Sequence, residues 1–178
     1  MPRLFAGIEL PADIRLRLSL YRARLNGAHW IEPDDMHLTL RFAGDVDGRA
    51  ADEFADALAG IAAASFEISL SGTGAFGGRK PAVVYADVAP CSRLDDLQRA
   101  TERAARAAIL DPDPRPFKPH VTLARMRGSR PETVARFLAD SGGLRLGPIP
   151  VDHFVLFSAR PGSGGGPYAV EEVYPLAG

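Results

Sequence analysis

Residues 36–46 read MHLTLRFAGDV, and residues 119–129 read PHVTLARMRGS. Each contains a His, one apolar residue, a Thr and a Leu: His37-Leu38-Thr39-Leu40 and His120-Val121-Thr122-Leu123. The chain has four histidines, and two of them stand in matching tetrapeptides 83 residues apart (120 − 37). Side chains alternate between the faces of a strand. His37 and Thr39 therefore share one face, with Leu38 and Leu40 on the other. His120 and Thr122 pair in the same way over Val121 and Leu123. Each tetrapeptide reads as two polar groups toward a cleft and two apolar groups toward a core. If the two strands lie side by side, two imidazoles and two hydroxyls converge.

Around these strands, RLFAGIEL (3–10) predicts a strand stopped by Pro11. Residues 12–26 predict a helix, with Asp13 near its start and Asn26-Gly27 at its end. HWIEP is a short extended piece, 48–63 an Ala-rich helix, SFEISLSG and 82–88 strands, and 92–109 a long Arg/Ala helix. RPETVARFLADSGG predicts a helix with Pro131 in its first turn and Gly142 at its end. LRLGPIPVDHFVLFSAR and PYAVEEVYPL read as closing strands, and GSGGG (162–166) as a hairpin loop. The order implies an α+β or alternating α/β chain. A division near residue 89 gives each half one His-x-Thr strand, a repeat of architecture rather than of sequence.

With 178 residues, 46% of them hydrophobic, the chain can bury a sizeable core as one domain or two small lobes. A net charge of −1 argues against wrapping long nucleic acid; a basic excess would be needed for that. An end or a short piece fits better. Arg supplies 19 of the 21 basic residues, giving guanidinium forks that match phosphate geometry. The single Cys91 excludes an internal disulfide and a cysteine-rich metal site, and a lone Cys near a helix start is more often inert than nucleophilic. The N-terminus lacks a signal-peptide core, and no apolar run has membrane-spanning length, so a cytoplasmic location is expected. Gly72-Thr73-Gly74-Ala75-Phe76-Gly77 spells the dinucleotide fingerprint, but the helix that must follow it is missing.

Two imidazoles can divide an acid–base reaction, one taking a proton from the attacking group and the other giving one to the leaving group. Two hydroxyls can donate to the oxygens of an anion. Together they suit in-line displacement at phosphorus, with a strained cyclic phosphodiester as the natural target. Zinc is disfavoured because two His without a nearby Cys or Glu are too few ligands. His29 and His153 lack a Thr two residues on and read as structural or surface groups.

The paired motifs, with RLFAGIELP, HWIEPDDMHLTLRFAGDV, FKPHVTLAR and FVLFSAR…Y…YPL, resemble the 2H phosphoesterase superfamily. Within it they resemble the RNA 2′,3′-cyclic phosphodiesterase or 2′-5′ RNA ligase family. The resemblance implies a bilobed α+β fold: two mainly antiparallel sheets with flanking helices around a central cleft, residues 1–178 forming a single domain of two pseudo-symmetric lobes. It implies His37 and His120 as catalytic, Thr39 and Thr122 as phosphate-binding, Phe42 as base-stacking and Arg125 as phosphate- or nucleotide-binding. Strict alternation instead puts Phe42 and Arg125 on the core side, unless a bulge or strand end intervenes. The expected activity is hydrolysis of RNA 2′,3′-cyclic ends to 2′-phosphomonoesters by a cytoplasmic monomer, with no cofactor, no metal and no membrane partner. Stacking on Phe42 would place O3′ nearer His37, making it the acid and His120 the base. The alternatives are reversible 2′-5′ ligation, another small cyclic phosphate such as an ADP-ribose derivative, or a non-catalytic RNA-end binding module.

Overall fold

The computed structural model describes residues 1–159 and 166–178. The described elements are β1 (Arg3–Glu9), α1 (Ala12–Ser19), β2 (Ala28–Trp30), β3 (His37–Asp45), α2 (Gly48–Ala59), β4 (Phe66–Phe76), β5 (Val83–Val88), α3 (Ser92–Ala107), β6 (His120–Met126), α4 (Pro131–Ser141), β7 (Arg145–Val151), β8 (His153–Ala159) and β9 (Ala169–Pro175), plus a 3-10 turn at Pro33–Asp35. The strands pair antiparallel in the order β7-β4-β5-β6-β3-β1-β8-β9, and β2 also pairs with β6. The fold is α+β. The two expected sheets touch at one residue pair, Leu38 of β3 with Val121 of β6, and so form the two halves of one hydrogen-bonded sheet. Asp152 alone connects β7, at one edge, to β8 in the other half. The sheet must therefore curl until its ends approach. The Ala64–Ala177 bridge and the 2.7 Å bond from Ser65 N–H to the Ala177 carbonyl close that side.

One buried cluster runs through both halves and takes the alternate residues that oppose the motif groups: Ile8, Leu38, Leu40, Ile68, Val121, Leu123 and Phe154 among them. Helices cover it with Ile14 and Leu18 (α1), Phe54 and Leu58 (α2), and Leu94 and Leu97 (α3). Each such side chain contributes roughly 1.5–3 kcal/mol by leaving water, and a one-residue slip would turn the set outward. The core thus fixes which face His37 and His120 occupy. A second cluster joins Val84, Ala124 and Met126 to Phe137 of α4.

Three segments differ from expectation. The helix foreseen over 12–26 ends at Ser19. Its leucines alternate rather than recur at helical spacing: within the helix Ile14 and Leu18 reach the core, Leu16 and Leu20 stay 62% and 76% exposed, and Leu25 is buried from the segment after it. Asn26-Gly27 instead forms the turn into β2, with Gly27 at φ +79°. The strand read in SFEISLSG runs on through Gly72–Phe76, so the glycine fingerprint is β-structure. The loop expected at 162–166 falls on residues that, Gly166 apart, lie outside the described ones.

Candidate active site

Both motif strands carry a bulge at the same place. β3 pairs Gly7 with Thr39 and then Ala6 with Arg41, leaving Leu40 unmatched. β6 pairs Tyr85 with Thr122 and then Val84 with Ala124, leaving Leu123 unmatched. One extra residue reverses the parity of everything after it. Arg41 and Ala124 turn inward, and Phe42 and Arg125 turn to the face of His37 and His120. Alternation alone placed those two residues wrongly. Arg41 becomes 5% exposed, and its guanidinium is held by the Glu102 carboxylate and the carbonyls of Phe42 and Asp111.

The antiparallel contact at Leu38–Val121 sets His37 beside Thr122 and Thr39 beside His120. Each ring is pinned by the carbonyl two residues upstream. His37 Nδ1 lies 2.8 Å from Asp35 O, and His120 Nδ1 2.7 Å from Lys118 O. A carbonyl only accepts, so Nδ1 carries the hydrogen in both neutral rings and Nε2 is left as the acceptor. Nε2 of His37 lies 3.1 Å from Thr39 Oγ1, which can donate to it.

The two imidazoles have different neighbours. His37 packs against Phe5 (4.8 Å between ring centroids), Phe157 (5.4 Å) and the edge-on Tyr168 (5.0 Å). His120 meets Phe76 edge-on (4.9 Å) and Tyr85 (5.3 Å). Tyr85 can lie there because Gly74 has no side chain: a Cβ at Gly74 would sit 2.5 Å from the ring. Burial is the largest influence on both histidines and pushes both below the ordinary 6.5. The carbonyl hydrogen bonds oppose it, as do the charges of Asp35 on His37 and Asp87 on His120. Asp87 stands opposite His120 across the strands and pairs with Lys118 at 2.9 Å.

The structure thus brings His37, Thr39, His120 and Thr122 together, with Phe42 and Arg125 on the same face. Phe42 is 36% exposed, stacked on Phe5 at 5.9 Å and lying under the Arg3 guanidinium at 5.3 Å. Cys91 stands apart, at the head of α3 with its thiol toward the Glu67 carbonyl. His153 bonds Asp152 and Glu9. Sequence reading missed the aromatic walls around each imidazole. Alternation along β1 could have placed Phe5 on the face of Glu9, but Tyr85, Phe157 and Tyr168 required knowledge of strand order. Among the described residues, no three His, Cys, Asp or Glu side chains converge as metal ligands.

The family model of the 2′-5′ RNA ligase superfamily matches residues 10–161. An RNA 2′,3′-cyclic phosphodiesterase of Aeropyrum pernix is 34% identical over 124 residues, 68% of this chain and 70% of that protein. One of Methanothermobacter thermautotrophicus is 29% identical over 184 residues, 98% of each. The crystal structure of E. coli LigT complexed with 3′-AMP superposes with a TM-score of 0.78 at 24% identity, covering 100% of both chains, which shows the shared fold. With its matched bulges, pinned imidazoles and family match, this chain belongs to the 2′-5′ RNA ligase superfamily.

Proposed function

We propose that this protein hydrolyses RNA ends bearing a 2′,3′-cyclic phosphate to 2′-phosphomonoesters, without a metal. The carrying observation is the meeting of two His-x-Thr strands at Leu38–Val121, with both Nδ1 atoms pinned by carbonyls and His37 Nε2 against the Thr39 hydroxyl of its own motif. Relatives named RNA 2′,3′-cyclic phosphodiesterase support the substrate. In this reading residues 1–178 act as one domain of two pseudo-symmetric lobes; the core shared by both halves supports that.

The cyclic phosphate lies between the imidazoles, its nonbridging oxygens accepting from the Thr39 and Thr122 hydroxyls and from Arg125. The base stacks on Phe42 in the place the Arg3 guanidinium occupies without substrate. Neutral His120 takes a proton from water as its oxygen bonds to phosphorus. The P–O3′ bond breaks on the opposite side, and protonated His37 gives its proton to O3′. The burial that lowers both imidazoles keeps His120 neutral, and the bound anion favours the proton on His37. Solvent exchange then resets both rings. With a 5′-hydroxyl attacking in place of water, the same forward step would join RNA ends through a 2′-5′ linkage, and its reverse would cleave that linkage, in keeping with the family's name.

The test is product analysis after incubation with a 2′,3′-cyclic-ended oligonucleotide in EDTA. A 2′-phosphomonoester at an undiminished rate is expected. Loss of turnover in EDTA, restored by zinc or manganese, would show that the residues do not suffice.

A further inference from the structure

The sheet face that carries the motif histidines continues beyond them. Past the Leu38–Val121 pair, β2 replaces β3 at the side of β6. Ile31 N–H bonds the Leu123 carbonyl at 2.9 Å, and His29 stands opposite Arg125. Opposed residues in an antiparallel pair share a face. The bulge at Leu123 puts Arg125 on the face of His120 and Thr122, so His29 shares that face too. On that face one row therefore runs Phe42, Thr39, His37, His29, and the row beside it His120, Thr122, Arg125. Among the described residues neither His29 nor Arg125 has an ion-pair partner, and both are exposed. The charge of Arg125 acts on His37, while those of Lys118 and Arg115 act on His120, which agrees with this order.

We propose that His29, with the second edge of the Arg125 fork whose first edge serves the cyclic phosphate, binds the phosphodiester immediately upstream of the cyclic end, so that the 5′ side of the RNA leaves along β6. The inference rests on the function proposed above. In ribose, C1′ and C4′ flank the ring oxygen, opposite the edge that bears O2′ and O3′. The base and the 5′-oxygen therefore depart in opposed directions. With the base on Phe42 and the phosphorus between the imidazoles, the 5′-oxygen points past His37 toward Arg125 and His29. Two unpaired donors suit the single negative charge of a phosphodiester there. The same polarity sets O2′ toward His120 and O3′ toward His37, matching the departure of O3′ onto His37.

The experiment compares kcat/KM for three substrates: a nucleoside 2′,3′-cyclic phosphate, a dinucleotide with the same cyclic end, and that dinucleotide with a neutral methylphosphonate linkage. The natural dinucleotide should be favoured by about tenfold, mainly through KM, the scale of one charge-assisted hydrogen bond. The methylphosphonate should lose that advantage. In His29→Ala the ratio of dinucleotide to mononucleotide should fall toward one, and His29→Gln, which keeps a donor, should recover part of it. A wild-type ratio near one, or an unchanged ratio in His29→Ala, overturns the subsite. No turnover of any cyclic end would instead overturn the proposed function beneath it.

Discussion

The two halves of the sheet repeat a backbone and differ in what they hang on it. Both motif strands have a bulge three residues after the His, an Nδ1–carbonyl bond two residues back, and a parity reversal that presents the fifth residue to the cleft. Yet that fifth residue is aromatic in one half (Phe42) and cationic in the other (Arg125). The residue before it is a buried arginine on β3 and a buried alanine on β6. In the proposed function, architecture is duplicated where proton transfer would use two imidazoles and diverges where a nucleotide would present unlike ends, a flat base and a charged chain.

The equivalence of the two imidazoles breaks first. His37→Ala and His120→Ala should each lower kcat by about 100- to 10,000-fold, and the double variant by little more, because acid and base serve one transition state. Steady-state rates on a cyclic nucleotide decide it. A single variant near the wild-type rate would remove that half from the chemistry.

Their difference is sharpened by the leaving group. A p-nitrophenyl phosphodiester releases an oxygen that needs no proton. With His37 as acid, His37→Ala should lose about 100-fold less on that ester than on the cyclic RNA end, the lower scale of general acid assistance. His120→Ala should lose equally on both. If the ester rescues His120→Ala instead, the roles belong to the opposite halves.

The hydroxyls test symmetry at a smaller scale. Thr→Val keeps shape and β-branching and removes one donor to an anion, worth roughly 1.5–3 kcal/mol. Thr39→Val and Thr122→Val should each lower kcat/KM by about 10- to 150-fold at that scale. Wild-type values in both would leave the threonines as strand formers.

What was legible in the sequence follows the same division. Alternation over His37–Leu40 and His120–Leu123 was readable because each strand carries its own period, and the core confirms that face. Phe42 and Arg125 were misplaced by period alone, because a bulge is a mismatch with a partner strand: Leu40 is extra only when β1 is counted beside β3. Only the resemblance to known relatives pointed the other way. Arg41 looked like one more arginine, since its partner Glu102 lies 61 residues away on α3. Asp35 and Lys118 could not be singled out either. Each holds a motif imidazole with its backbone carbonyl, a group every residue has, and their side chains are accordingly unlike.

The smallest effect separates the motif histidines from His153, which shares the β1 side of the sheet. At His37 and His120 burial outweighs the hydrogen bonds, and the imidazole is lowered. At His153 burial also pulls down, but bonds to the Asp152 carboxylate at 2.5 Å and Glu9 at 3.2 Å outweigh it, and the imidazole is raised above 6.5. A raised group contributes stability that is whole below its unfolded value and fades as pH climbs through its folded value. A lowered one does the reverse, its contribution lost as pH falls below 6.5. His153→Gln should therefore cost more thermal stability at pH 5.5 than at pH 9. Exposed pairs of this kind are screened by solvent, so the difference in Tm should be small, about 1–3 °C. His37→Gln with His120→Gln should show the opposite trend, becoming less sensitive to acid than the parent. Equal losses for His153→Gln at both pH values would mean that the two carboxylates do not hold a charged ring.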